Sequence, residues 1–213
     1  MYKTVLFDLD GTLTDPGIGI TNSVMYSLDK FGIKAEDRTS LYKFIGPPLK
    51  ESYARYYHLS GEDLNRAVVY YREYFSDKGI FENILYDGMA EVLDRIKSSG
   101  RKIILATSKP DKFAIQILEH FEIAQYIDFV AAATMDETRT AKADVIAYAI
   151  ESCGITDLES TVMVGDREND ILGAKAVGID SIGVLYGYGD REELQSAGAT
   201  YLAESAADII NFL

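Results

Sequence analysis

Tyr2-Lys3-Thr4-Val5-Leu6-Phe7-Asp8-Leu9-Asp10-Gly11-Thr12-Leu13-Thr14 opens the chain with an apolar, β-branched run cut short by a cluster of Asp, Gly and Thr. The run reads as a buried strand and the cluster as its abrupt end. In an open α/β sheet, ligands collect in the crevice beyond the carboxyl ends of the strands. Asp8 and Asp10, two residues apart, can leave that edge on the same side of the chain. Two partly desolvated carboxylates so close repel each other unless a cation or a shared proton relieves them. A hard divalent ion with oxygen ligands, such as magnesium, is the simplest relief. A strand-ending turn whose Asp side chains serve only local amides is the plainer reading of Asp-x-Asp alone. The full string Asp-x-Asp-Gly-Thr arises by chance in only about one chain in a thousand of this size, and here it follows the first strand directly.

With 213 residues, the chain is long enough for one large domain, or for a core with a smaller domain inserted. No apolar run approaches the roughly 20 residues that a membrane-spanning helix needs. No apolar leader precedes the first strand, so the cytosol is the expected compartment. Acidic residues outnumber basic ones by 34 to 21, a formal net charge of −13, which argues against a nucleic-acid or anionic-membrane surface. An anionic substrate must then be drawn in by a local group of cations. The single Cys153 rules out an intramolecular disulfide and any multi-cysteine metal site; it reads as a small core residue. His58 and His120 are too scattered to suggest a histidine metal site.

From Pro16 to Leu85 strand-like runs vanish. Gly17 and Gly19 supply flexibility, Ile20 to Phe31 is an amphipathic helix closed by Gly32, and Ile45-Gly46-Pro47-Pro48 is a loop. Leu49 to His58 and Glu62 to Asp77 give two more helices. Tyr53, Tyr56 and Tyr57, and then Tyr70, Tyr71, Tyr74 and Phe75, recur at helical spacing. That pattern favours packing of the helices on one another over a ligand or dimer surface. Residues 16–85 therefore form a helical domain inserted into a core of residues 1–15 and 86–213.

After Tyr86, helices and strands alternate. Helices are predicted over Gly88–Ser99, Asp111–Phe121, Ala141–Cys153 and Asp170–Val177, with a short one near Glu192 and a last one over Ala206–Leu213. Strands are predicted over Lys102–Ala106, Tyr126–Ala132, Thr161–Val164 and Ser181–Leu185. This order calls for an α/β fold, a doubly wound parallel sheet with helices on both faces. Three further stations fall at strand ends or helix starts. Thr107-Ser108-Lys109-Pro110 offers a hydroxyl beside helix-start amides, suited to gripping phosphate or to capping the helix. Lys142 opens a helix, against the preference of the helix dipole, which hints at an anion nearby. Gly165-Asp166-Arg167-Glu168-Asn169-Asp170 is a second acidic cluster. In it Asp166 is placed to complete a cation site with Asp8, and Asp170 to support it.

Asp-x-Asp-Gly-Thr, a strand ending in Thr/Ser, a helix-start Lys and Gly-Asp-x-x-x-Asp, in that order over essentially the whole chain, resemble the haloacid dehalogenase superfamily. The Ile-Gly-Pro-Pro-Leu loop, Gly-Asp-Arg-x-x-Asp-Ile-x-Gly-Ala and Gly-Val-Leu-Tyr-Gly-Tyr-Gly are similar to its phosphoglycolate phosphatase-like and 5′-nucleotidase-like members. The resemblance implies a Rossmann-like core with a helical cap, and a Mg²⁺-dependent phosphatase acting on small phosphomonoesters. Asp8 is then the nucleophile that becomes an aspartyl-phosphate, and Asp10 the general acid and later base. Magnesium is implied on the Asp8 carboxylate, the Asp10 carbonyl and Asp166, with Asp170 behind them. Thr107 first, then Ser108, with the Gly11 amide and Lys142, hold the phosphoryl oxygens. The cap is expected to close over the site on hinges near Gly17–Gly19 and Leu85–Gly88, bringing Gly46 and Pro47 to the leaving group. Phosphoglycolate phosphatase activity is the leading expectation, with 5′-nucleotidase or pyrophosphatase activity as alternatives. A phosphoglucomutase-like phosphotransferase and a non-catalytic binding module are the further rivals; a dehalogenase is disfavoured by the presence of Asp10. The expected partner is a small phosphorylated metabolite, and the expected state a monomer or homodimer.

Overall fold

The computed structural model describes residues 1–35, 37–136 and 138–213. The chain divides into two compact units, Met1–Asp15 with Leu85–Leu213, and Pro16–Ile84.

The first strand, β1 (Thr4–Phe7), is buried along its whole length, as a continuous apolar run in a parallel sheet requires. The chain then enters the helical unit. Here α1 (Gly17–Asp29) packs against α3 (Gly61–Tyr74), and α2 (Leu49–Tyr57) follows a 3₁₀ turn over Thr39–Phe44. A π turn over Phe75–Gly79 extends α3. Tyr53, Tyr71 and Phe75 are buried. Phe44 meets Tyr53 edge-on with ring centroids 5.0 Å apart, and Tyr71 stacks on Phe75 at 5.3 Å. The aromatic stripes thus hold this unit's own helices together.

The larger unit resumes with α4 (Met89–Ser98), β2 (Lys102–Pro110), α5 (Asp111–His120) and β3 (Phe129–Ala133). It continues with α6 (Lys142–Ser152), β4 (Thr161–Gly165), α7 (Glu168–Val177), β5 (Asp180–Val184), α8 (Arg191–Ala197) and β6 (Tyr201–Ala203). The six strands of this main sheet are parallel, in the order β3-β2-β1-β4-β5-β6; a separate two-stranded ladder pairs Thr14–Asp15 with Ile84–Leu85. Because successive crossovers keep one hand, strands added to either side of β1 bring helices to opposite faces. On one face Leu6, Ile104, Ala131 and Met163 pack against Val145, Ile146 and Ala149 of α6 and Ala174 of α7. Helix α4 buries Met89, Val92, Leu93 and Ile96, the spacing of a single helical face. No helix among the described residues is long and apolar enough to cross a membrane.

Several boundaries differ from the sequence reading, and those in the larger unit have physical reasons. Strand β2 continues past Ala106 to Pro110, with a register shift against β3 between Thr107 and Pro110; polar residues at a strand end read as loop even where pairing continues. Strand β3 begins at Phe129, because Ala124–Tyr126 is a 3₁₀ turn. Strand β6 carries no sequence signal, being three residues long with Tyr201 exposed at the sheet edge. The last helix is a 3₁₀ segment, Ala206–Phe212, started by Asp208 accepting from the Ser205 amide and hydroxyl.

The register places the chemistry. Phe7 pairs with Leu105 on β2 and with Val164 on β4, so the residues after them emerge together at one edge. Strand order reverses between β1 and β4, which is where an open α/β sheet forms its ligand crevice.

Candidate active site

Beyond β1 the chain turns tightly: the amides of Leu13 and Thr14 both donate to the Leu9 carbonyl, and the Gly11 amide donates to that of Thr14 at 2.8 Å. The turn buries Leu9 and Leu13 completely and leaves Asp8 and Asp10 on the site side. Gly11 has φ +80°, and a Cβ there would stand 2.2 Å from Asp166 Oδ2. The glycine therefore supplies both a left-handed turn and room for the second acidic strand end. Its amide, expected to face phosphate, is committed to closing the turn.

Asp8, Asp166 and Asp170 come together: each offers an oxygen within 4.8 Å of the others, and all three are buried. Lys142 Nζ lies 2.8 Å from Asp8 Oδ1, 2.8 Å from Asp170 Oδ1 and 3.0 Å from the Ala106 carbonyl. Gly173 on α7 makes this approach possible, since a Cβ there would be 2.9 Å from Lys142 Cγ. Asp170 Oδ2 meanwhile accepts the Arg167 amide and caps α7, so one carboxylate both starts a helix and holds the lysine. Asp166 accepts from the Thr12 hydroxyl at 3.3 Å and the Tyr188 amide at 2.8 Å, neither of them a cation.

The sequence reading put Asp10 among the metal ligands through its backbone carbonyl, which leaves its carboxylate for other work. Its carboxylate stands outside the three-carboxylate group and pairs instead with Lys109, whose Nζ lies 2.8 Å from Asp10 Oδ2. Asp10 Oδ1 is buried with no hydrogen-bond partner among the described residues. Lys109 is the residue that sequence reasoning missed. A lysine at a strand end next to proline reads as solvated; here it lies within the register shift of β2, where a strand irregularity can re-aim a side chain. The Thr107 hydroxyl is buried and accepts the Lys109 amide at 3.2 Å; Ser108 is half-buried. Gly46 and Pro47 belong to the helical unit, in the loop before α2.

Electrostatics follow from this crowding. Burial pushes the Asp170 carboxyl up to about 6, Lys142 opposing and Asp8 reinforcing. Burial and Asp170 push Asp166 well above its ordinary value, against the pull of the Tyr188 amide. Burial also raises Asp10, with Lys109 acting in the opposite direction. Burial alone would lower Lys142, but Asp170 and Asp8 outweigh it and hold the ammonium charged. The pocket thus carries more negative charge than its own cations balance, and its donors are all hard oxygens. A divalent metal ion fits that set.

A doubly wound parallel sheet with opposed carboxylates and a buried lysine at its switch point defines a carboxylate-centred α/β enzyme. Residues 5–184 match a family model described as haloacid dehalogenase-like hydrolase, and the chain belongs to that family. A 5′-nucleotidase of Pseudomonas aeruginosa is 41% identical over 97% of this chain and 93% of its own. A protein named tyrosine-protein kinase PtkA from Mycobacterium tuberculosis is 37% identical over 96% of this chain and 69% of its own. Among solved structures, a predicted phosphatase from Clostridium acetobutylicum superposes with TM-score 0.97 at 49% identity, covering 100% of both chains.

Proposed function

We propose that this enzyme is a magnesium-dependent phosphatase that hydrolyses small phosphomonoesters through a phosphorylated Asp8. The observation that carries the reading is Asp8 itself: a buried carboxylate at the sheet's switch point, fixed by Lys142 and facing Asp166 and Asp170. The Asp8 and Asp166 carboxylates and the Asp10 carbonyl would hold the ion, with Asp170 behind them. Once bound, magnesium offsets repulsion between a carboxylate nucleophile and a phosphate dianion.

The residues then divide the work. Asp8 attacks phosphorus in line, and an Asp8–phosphorus bond forms as the ester bond breaks. Protonated Asp10 gives its proton to the departing alcohol oxygen. It takes one back from the water that next attacks phosphorus and frees Asp8. The Thr107 hydroxyl accepts from the Lys109 amide, which leaves its own proton for a phosphoryl oxygen; Ser108 stands beside it. Lys142 keeps Asp8 in line and adds positive charge where the transition state gathers negative charge. On the family resemblance alone, Gly46 and Pro47 are the proposed selectors of the leaving group.

Nucleoside 5′-monophosphates are the first substrates to try, because the 41% identical relative is named a 5′-nucleotidase; 2-phosphoglycolate and pyrophosphate follow. The test is release of inorganic phosphate from this panel, with magnesium or with EDTA, alongside Asp8→Asn. Magnesium-dependent release that Asp8→Asn lacks is the expected result. Transfer to a second organic acceptor with no free phosphate would replace the hydrolase with a phosphotransferase.

A further inference from the structure

We propose that Lys109 is a positioning residue for Asp10, holding one carboxylate oxygen so that the other is presented for proton exchange with the leaving group and then with water. The proposal rests on the reading of Asp10 given above and adds a residue to it. Its basis is geometric. Opposite Thr107 and Pro110 of β2, β3 sets consecutive residues Ala132 and Ala133, so Ser108 and Lys109 have no counterparts. A bulge of this kind re-aims a side chain at a strand end. The Lys109 side chain is 5% exposed and reaches Asp10 Oδ2 at 2.8 Å, while Oδ1 has no hydrogen-bond partner among the described residues.

A buried lysine is uncommon unless it is paired, and a buried carboxylate oxygen left unsatisfied marks a place where a ligand completes the bonding. Rotation of Asp10 about its Cα–Cβ bond would carry the free oxygen away from the reacting atoms; the ion pair opposes that rotation. The same residue's amide binds the Thr107 hydroxyl. Lys109 therefore ties the second strand end to the loop after the first. A direct grip on phosphate is the competing role for this ammonium.

The two roles separate by leaving group. An alkyl phosphate needs a proton on its departing oxygen, whereas 2,4-dinitrophenyl phosphate does not. Single-turnover rates would be measured with both esters on the wild type, Lys109→Met, Lys109→Arg, Asp10→Asn and the double variant Asp10→Asn/Lys109→Met. Lys109→Met is expected to slow the alkyl ester about 10²-fold, at the low end of what general acid catalysis contributes. Its KM should stay close to wild type, and dinitrophenolate release should change little. Lys109→Arg should recover part of the loss, and Lys109→Met should cost nothing further once Asp10 is Asn. The double variant also removes the lone buried charge, so it stays interpretable if Lys109→Met folds poorly.

Equal losses on both esters would overturn the proposal. So would a raised KM and weaker inhibition by inorganic phosphate at unchanged kcat, which would make Lys109 a phosphate ligand. Full additivity in the double variant would sink it as well. A wild-type enzyme inert toward both esters would fail the phosphatase reading itself, and this proposal with it.

Discussion

Lys142 directs its ammonium at three oxygens, those of Asp8, Asp170 and the Ala106 carbonyl. Removing one partner from a buried charge network leaves the others uncompensated, which typically costs about 3 kcal/mol or more. Lys142→Met should therefore melt well below the wild type in EDTA and recover part of the difference in magnesium, because the ion takes over some of the missing positive charge. Differential scanning calorimetry in the two buffers checks this; an unchanged melting temperature would mean that the carboxylates relax into solvent. Much of this cluster was legible in the sequence. Asp8, Asp166 and Lys142 each follow or begin an element whose apolar pattern is plain, so their place at one sheet edge follows from the alternation alone. Lys109 was not legible, since its partner lies almost a hundred positions away and only the fold brings the two together. The Gly11 amide's local bond to the Thr14 carbonyl was not legible either, since residue type carries no trace of it.

Among the elements, Asp128 at the start of β3 joins three of them. Its carboxylate accepts from Lys97 near the end of α4 at 2.5 Å and from the Ile103 amide on β2 at 2.9 Å. Burial alone would raise this carboxyl, but those two contacts outweigh it and hold it below its ordinary value. A folded-state pKa below the unfolded one gives stability that is complete above the unfolded value and lost as pH falls through the folded one. Asp128→Asn should thus lower unfolding free energy at pH 7 by about 0.5–1 kcal/mol, a figure kept small because the pair is partly exposed. The difference should shrink as pH drops below the ordinary carboxyl value of 3.8. Urea unfolding at pH 7 and in the acid range measures it; a gap that persists in acid would assign the loss to packing. The elements themselves were read with uneven success. Buried strands such as Thr161–Gly165 are continuous apolar runs and announce themselves. Strand β6, Tyr201-Leu202-Ala203, is too short to show a pattern, and its assignment depends on β5 already lying beside it.

At the scale of the whole molecule, charge governs how a phosphate reaches the site. A net charge of −13 repels a phosphate dianion over the protein's long-range field. The site gives little local relief by itself: among Asp8, Asp10, Asp166 and Asp170, Lys109 pairs with Asp10 and Lys142 with Asp8 and Asp170, while the charge of Arg167, which also acts on Asp166, is paired with Glu193. That leaves two formal negative charges, the number one divalent ion balances. Two outcomes follow from the same imbalance. Inorganic phosphate should raise the melting temperature in magnesium and leave it unchanged in EDTA. With magnesium saturating, kcat/KM should rise as potassium chloride is added, because the screening length falls to about 10 Å at 0.1 M and weakens repulsion from distant carboxylates more than attraction at the buried ion. A fall in kcat/KM with salt, measured at constant free magnesium, would instead show that a cationic surface steers the substrate in, and would place the recruiting charge outside these buried pairs.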